Sequence, residues 1–141
     1  FVHCTASRQT WSVDALLKEF TNKGWHYPGY HWIVEANGKA TQLMTEDLPS
    51  NGVKGYNHES INVAYMGGIS RSGHPIDNRT DEQKATLREL LTELKQRYPD
   101  AKILGHRDIS PDLNHNGKVD IWERIKECPC FDAIPEYADI K

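Results

Sequence analysis

The chain has 141 residues, a length that suits one domain built around one hydrophobic core. Its formal net charge of −3 gives no whole-chain attraction to nucleic acid or to acidic lipid. No apolar run approaches the roughly 18 residues that a membrane-spanning helix needs, and the opening residues lack the pattern of a secretory leader.

The first part of the chain predicts a strand followed by a helix. Residues 1–4 are expected to form a short buried strand. Ser12 is the expected N-cap of the helix, and Gly24 is expected to end it. The apolar side chains that repeat at helical spacing are Val13, Leu16, Leu17 and Phe20.

A β-hairpin and a central strand are predicted next. Residues 30–35 and 39–44 flank the pair Asn37-Gly38, and Asn-Gly between two such runs is a strong hairpin signal. Residues 46–58 are polar and contain glycine, which predicts a surface loop. Residues 60–66 alternate in character with the period of two that is typical of a strand.

A long helix and a last strand are predicted in the second half. Thr80 and Gln83 have the spacing of a capping box, and the apolar stripe that follows consists of Leu87, Leu90, Leu91 and Leu94. Pro99 is expected to end this helix, and residues 102–104 are expected to form a strand. The order of strands and helices predicts an α/β fold with a mixed central β-sheet and packed helices. The whole chain, 1–141, is assigned to that single domain.

Six short motifs stand in the order, and at roughly the separations, of one known family. They read VHCTA at 2–6, GW at 24–25, GYHWIV at 29–34, KGYNH at 54–58, GHRD at 105–108 and KECP at 126–129. The chain therefore resembles the zinc-dependent N-acetylmuramoyl-L-alanine amidases of type 2, the family of the phage amidase called lysozyme and of the peptidoglycan recognition proteins. The resemblance extends from Phe1 to about Asp132. It is closest to the phage branch, in which the last cysteine follows a lysine by two residues.

The resemblance implies a zinc site made of His3, His106 and Cys128. Two imidazoles and one thiolate leave a tetrahedral zinc ion with one open position, as in catalytic sites. Water in that position, with its pKa lowered by the ion, is then the nucleophile that attacks an amide carbonyl. Cys130 is the alternative to Cys128 as a ligand, and the spacing from Lys126 favours Cys128. Three cysteines are an odd number, which argues against a complete disulfide framework.

The resemblance also implies catalytic roles for Tyr30 and Lys126. The ammonium group of Lys126 would stabilise the negative charge of the tetrahedral intermediate. The phenol of Tyr30 would hydrogen-bond the zinc-bound water or the leaving nitrogen. The alternatives are an ordinary strand aromatic for Tyr30 and a solvated helix end for Lys126.

Tyr56, Asn57 and His58 are expected to bind substrate, because the matching segment lines the substrate groove in the family. A solvated loop is the alternative reading of the same residues. Several phage-type relatives have a histidine upstream of this segment, where this chain has Gly52. That contact to substrate is therefore expected to be absent or replaced.

A second candidate metal site lies in the stretch where the chain is longer than the phage pattern. Residues 112–123 read D-x-N-x-N-G followed by five residues and a glutamate, which is the pattern of an EF-hand calcium loop. The expected ligands are Asp112, Asn114, Asn116, Lys118 through its backbone carbonyl, Asp120 and Glu123. A polar, turn-rich loop without an ion is the alternative. Bound calcium would fix the short helix that is expected to carry Lys126.

The sequence thus predicts a hydrolase that cuts the amide between N-acetylmuramic acid and the L-alanine of the stem peptide. The alternative is a non-catalytic peptidoglycan-binding module, which in the family lacks the cysteine ligand. The expected cofactors are Zn²⁺ and, as a structural ion, Ca²⁺. The expected partner is peptidoglycan, without nucleic acid, and a monomer is expected. A phage protein, a prophage protein and a cellular autolysin all stay open as the origin of the chain. The protein is expected to be cytoplasmic until lysis or export.

Overall fold

The computed structural model describes all 141 residues and contains one four-stranded sheet. The strands are β1 (Val2–Cys4), β2 (Trp32–Val34), β3 (Ala40–Gln42) and β4 (Val63–Tyr65). They lie in the order β1-β4-β2-β3, with β4 parallel to both β1 and β2, and with β3 antiparallel to β2. The predicted α/β fold with a mixed central sheet is confirmed.

Three α-helices accompany the sheet: α1 (Val13–Asn22), α2 (Asp81–Arg97) and α3 (Ala133–Glu136). Both predicted helix starts are confirmed. The hydroxyl of Ser12 accepts a hydrogen bond from the first turn of α1, and Thr80 and Gln83 form a complete capping box at α2. No helix combines the length and the apolar composition that crossing a lipid bilayer requires.

The sheet is buried on both faces. One layer packs α2 on the sheet, through Leu87, Leu90, Leu91 and Leu94 against Val34, Val63 and Tyr65. The other layer packs α1 through Leu16 and Phe20 against Ile33, Ala64 and Met66. The period of two predicted for residues 60–66 is therefore present, but both sets of side chains face protein and neither faces water.

The predicted hairpin is confirmed, with strands of three residues each. β2 and β3 pair from Trp32–Gln42 to Val34–Ala40. Gly38 has φ of +86° in the connecting turn, which is a conformation that glycine adopts without steric cost. The hairpin places β2 between β3 and β4, in the middle of the sheet.

One expectation about the chain between these elements is wrong, and a second holds only in part. Residues 102–104 form no strand: a single parallel bridge joins Gly105 to Val2 of β1, and the N–H of Val2 donates to the carbonyl of Leu104 at 2.8 Å. The ladder goes no further, and the next outward N–H of β1, at Cys4, donates to the sulfur of Cys128. Residues 46–58 are not entirely a surface loop, because Ser50 and Val53 are buried.

Candidate metal centre

β1 places His3 at the centre of the site. Val2 and Cys4 belong to the α2 layer, so His3 projects to the opposite face of the sheet. The His3 residue is 1 % exposed. Its ring centroid lies 5.1 Å from that of Tyr30 and 4.8 Å from that of His106.

Three side chains bring metal-binding atoms together, those of His3, His106 and Cys128. Their donor atoms all lie within 4.8 Å of one another, and the Cys128 sulfur is 3.8 Å from Nδ1 of His3. A tetrahedral zinc ion holds nitrogen and sulfur ligands roughly 3.5 Å apart, given its usual bond lengths. The donor set and its spacing therefore fit one zinc ion.

Asn62 fixes the orientation and the protonation of the His3 ring. Nε2 of His3 lies 2.7 Å from Oδ1 of Asn62, and the Asn62 amide nitrogen donates to the hydroxyl of Ser50 at 2.8 Å. The amide oxygen thus faces His3, so Nε2 carries the proton and Nδ1 keeps the lone pair that points towards Cys128. A Cβ at Gly52 would lie 2.3 Å from Cγ of Asn62, so glycine leaves room for this amide.

His106 begins a short 3₁₀ turn beside β1. The hydrogen bond from Val2 to Leu104 aligns the chain with β1 immediately before the turn. The carboxylate of Asp108 accepts the N–H of Gly105 at 2.7 Å, which fixes the start of the turn. Together these contacts hold the two imidazoles next to each other.

Backbone contacts hold Cys128 on both sides. Its sulfur accepts the N–H of Cys4 at 3.2 Å, and its carbonyl accepts the N–H of Arg107 at 2.8 Å. The carbonyl of Pro129 accepts the hydroxyl of Tyr65 at 2.7 Å. These contacts fix the position of the Cys128 sulfur beside β1.

Arg107 organises the segment that carries Cys128. Its buried guanidinium donates to the carboxylate of Asp132 at 2.6 Å and to the carbonyl of Glu127 at 3.4 Å. Arg107 is thus part of a salt-bridged turn behind the site and is not one of the converging donors.

Both imidazoles are neutral at pH 7. Burial, followed by neighbouring positive charges, lowers the pKa of His3 well below its ordinary value of 6.5. Burial and the charge of Lys126 lower the pKa of His106 to about 4. A neutral imidazole offers the lone pair that a metal ion needs, so neither ring has to lose a proton first.

The hydroxyl of Tyr30 is directed at the same site. It donates to the carbonyl of Cys4 at 3.3 Å, one residue along from His3. Burial, followed by the nearby sulfur of Cys128, raises the pKa of Tyr30. The phenol therefore keeps its proton at neutral pH and acts as a hydrogen-bond donor.

Lys126 lies close enough to the centre for its charge to lower the pKa of both His3 and His106. The prediction that Lys126 belongs to a short helix is wrong. Lys126 follows the end of the 3₁₀ turn Ile121–Glu123 by three residues. Arg124 after this turn is extended, with φ of −67° and ψ of 122°.

Comparison with known proteins agrees with this geometry. The family model described as N-acetylmuramoyl-L-alanine amidase matches residues 1–130. The chain belongs to that family. It is therefore an amidase that acts on peptidoglycan, in a family that depends on zinc.

Individual relatives support the assignment of this amidase. The endolysin of Klebsiella phage KP32 is 35 % identical over 134 residues, which are 94 % of this chain and 80 % of that protein. An uncharacterised protein of Haemophilus influenzae is 46 % identical over 81 residues, 57 % of this chain and 70 % of that protein. The endolysin of the Thermus scotoductus bacteriophage Ph2119 has the same fold, with a TM-score of 0.72 at 21 % identity, over 98 % of this chain and 80 % of that one.

Cys130 of the amidase is turned away from the imidazoles. Its sulfur lies 3.9 Å from the sulfur of Cys4 and 3.6 Å from the carbonyl of Gly68. The structure thus brings Cys128, and not Cys130, to His3 and His106.

The residues predicted to bind substrate lie beside Phe1, at the start of β1. The ring of Tyr56 packs edge-on against Phe1, with centroids 5.7 Å apart, and Asn57 accepts the N–H of Val53 at 2.8 Å. Asn57 and His58 line a cavity of about 600 Å³ between the start of β1 and the end of α2. The lining of this cavity includes none of His3, Tyr30, His106, Lys126 and Cys128.

The EF-hand-like loop is closed by its own polar groups. Asp112 accepts the N–H of Gly117 at 2.8 Å, and Gly117 has φ of +86°, as the sharp turn of the pattern requires. Glu123 is 3 % exposed, and its carboxylate accepts the N–H groups of Leu113, Asn114 and Asp120. The remaining predicted ligands, Asn114, Asn116, Lys118 and Asp120, lie on the exposed or half-exposed side of the loop.

Asn62 contacts the candidate site through His3, and the motifs of the sequence did not indicate it. Its signal in the sequence is an amide in the middle of a predicted central strand, where an apolar side chain is usual. His31 belongs to the same network, because its Nδ1 accepts the backbone N–H of Asn62 at 3.0 Å. His31 therefore supports the site from behind and does not face the metal donors.

Replacing Asn62 should weaken metal binding. In Asn62→Leu the His3 ring loses its acceptor, and we expect the affinity for zinc to fall by about ten- to a hundredfold. Asn62→Asp keeps an acceptor at Nε2 and is the matched control, with an affinity close to that of the wild type. Competition with a chromophoric chelator measures both, and equal affinity of Asn62→Leu and the wild type would contradict the role of Asn62.

Proposed function

We propose that this amidase binds one catalytic zinc ion through His3, His106 and Cys128 and hydrolyses the amide between N-acetylmuramic acid and L-alanine. The observation that supports the proposal is the convergence of two neutral imidazoles and one thiol within 4.8 Å. Three ligands leave the ion an open coordination position, which distinguishes a catalytic zinc site from a structural one. Residues 1–141 are taken as one catalytic domain.

A zinc ion held by His3, His106 and Cys128 would supply Lewis acidity, which would lower the pKa of a water molecule and so provide a nucleophile at neutral pH. The chain supplies the rest. Lys126 places a positive charge beside the imidazoles, where it stabilises the negative charge that develops on the carbonyl oxygen of the substrate. Tyr30 presents a protonated phenol to the same space, where it orients the nucleophile or donates to the leaving nitrogen.

The likeness to phage endolysins favours a lytic role on the bacterial cell wall. The reaction separates the glycan strand from the stem peptide, which removes the cross-links from that strand. Tyr56, Asn57 and His58 stay a prediction as substrate-binding residues, as does the monomeric state.

Removing the metal should abolish activity. Purified peptidoglycan is digested, and the release of stem peptides with a free L-alanine N-terminus is followed by mass spectrometry. We expect no release after chelation, recovery on addition of zinc, and no release by Cys128→Ser. Cys130→Ser is the matched control and should retain activity, because Cys130 faces away from the imidazoles. Binding of peptidoglycan without cleavage by the zinc-loaded protein would support a non-catalytic module instead.

Lys126 and Tyr30 should affect turnover without affecting metal binding. We expect Lys126→Met to lower kcat by about 10²- to 10³-fold, because an electrostatic partner of the transition state is lost. Tyr30→Phe should lower kcat by about 10²-fold through loss of a proton donor. Lys84→Met, on the exposed face of α2, is the control for removal of a lysine charge. Zinc content equal to that of the wild type together with unchanged kcat would contradict both roles.

We also propose that residues 112–123 bind a structural calcium ion. Every ligand position of the pattern is filled, and Glu123 already draws the two ends of the loop together through backbone N–H groups. The loop ends three residues before Lys126, and the N–H of Ile125 donates to the hydroxyl of Ser110 at 3.0 Å. An ion in the loop would therefore stiffen the segment that delivers Lys126 and Cys128.

Calcium should raise the melting temperature of the zinc-loaded protein. At a concentration about a hundred times Kd, binding adds about 2.7 kcal/mol to the free energy of unfolding, which corresponds to several degrees in Tm. The rise should disappear in Glu123→Gln and persist in Asp100→Asn, which removes an exposed carboxylate outside the loop. A rise of the same size in Glu123→Gln, or no rise at millimolar calcium in the wild type, would contradict the proposal.

A further inference from the structure

The two cysteines that do not face the imidazoles face each other. The sulfur atoms of Cys4 and Cys130 lie 3.9 Å apart across 126 positions of sequence. Cys4 is 4 % exposed, and Cys130 is half-buried. A disulfide bond has a length of about 2.05 Å, so the two sulfurs have to approach by roughly 2 Å.

The surroundings keep the sulfurs together. A Cβ at Gly68 would lie 2.5 Å from the sulfur of Cys4, so only glycine leaves space for that side chain. The carbonyl of Gly68 is also 3.6 Å from the sulfur of Cys130. Cys130 has φ of +73°, a conformation that residues other than glycine rarely adopt, and its side chain nevertheless points inwards at Cys4.

Cys128 is engaged elsewhere. Its sulfur accepts the N–H of Cys4 and faces Nδ1 of His3 at 3.8 Å. The three free cysteines are thus one candidate metal ligand, Cys128, and two others whose sulfurs lie 3.9 Å apart. This division rests on the proposed function only for the role of Cys128.

We propose that Cys4 and Cys130 form a reversible disulfide bond beside the metal centre. A low-molecular-weight disulfide such as oxidised glutathione is the oxidant. The two thiols lose two protons and two electrons as the new sulfur–sulfur bond forms, and the oxidant takes them up as its own bond breaks into two thiols. A dithiol reductant reverses the reaction.

The bond would join the two segments that carry metal ligands. Cys4 follows His3 on β1, and Cys130 follows Cys128 by two residues. The cross-link closes a loop that contains almost the whole chain, and long closed loops restrict the unfolded state most. Oxidation therefore stabilises the folded protein and holds β1 and the segment of Cys128 together. The surroundings of an exposed cell wall are oxidising, which favours the bond.

The test is to map the cysteines after oxidation of the zinc-loaded protein with oxidised glutathione. Alkylation under denaturing conditions with a chelator should modify one cysteine in the oxidised protein and three in the reduced protein. Proteolysis should give a peptide from the N-terminus linked to the peptide that contains Cys128 and Cys130. Fragmentation should locate the alkyl group on Cys128. The oxidised protein should melt several degrees above the reduced one.

Cys130→Ser is the matched variant, with two alkylated cysteines before and after oxidation and no change in Tm. Three alkylated cysteines in the oxidised wild type, a bond that includes Cys128, or glutathione attached to Cys4 or Cys130 would overturn the proposal. So would equal Tm of the oxidised and reduced forms. Protection of Cys128 from alkylation by zinc in the native protein reports on the metal site separately, so failure of one proposal is distinguishable from failure of the other.

Discussion

The N–H of Cys4 donates to the sulfur of Cys128 at the free edge of β1, and the metal centre depends on this contact. A strand edge normally offers its N–H groups to another strand or to water. Here the first outward N–H, at Val2, holds the chain that leads to His106, and the second holds Cys128 directly. Two ligands from distant parts of the sequence are thereby positioned by two residues of a strand that itself carries the third.

Because His3 is buried, its ring needs hydrogen-bond partners from within the protein. His3 is almost completely removed from water, so its charged form is disfavoured and its ring nitrogens need partners within the protein. Asn62, which itself donates to the hydroxyl of Ser50, is the partner of one ring nitrogen, and the other nitrogen is left for the proposed metal ion. A buried polar group without a partner costs about 1–3 kcal/mol in the free energy of folding. Loss of the Asn62 amide would therefore leave the His3 ring with such a penalty.

Local signals predicted the local structure well. Ser12, Thr80 with Gln83, and Asn37-Gly38 mark a helix start, a capping box and a hairpin, because the interactions that define them lie within a few residues. The resemblance of the motifs likewise led to His3, His106 and Cys128, which the structure brings together.

The sequence predictions that failed concern residues whose structure depends on contacts with distant parts of the chain. Residues 102–104 look like a strand, but the edge that they would extend is occupied by a sulfur from a segment some 25 residues further on. Lys126 was expected in a short helix. The structure instead has an extended residue, Arg124, after the 3₁₀ turn that precedes Lys126. The amide of Asn62 was visible in the sequence, but its purpose depends on a ring 59 positions away.

The close approach of Gly52 to Asn62 has an evolutionary consequence. With the amide in its present place, even a methyl group at position 52 would overlap it, so a larger side chain there cannot coexist with this network. A side chain larger than hydrogen at position 52 and an asparagine in its present place at position 62 thus exclude each other. Sequences of this lineage should inherit them as a linked pair, with changes at one site permitted only on a background already altered at the other.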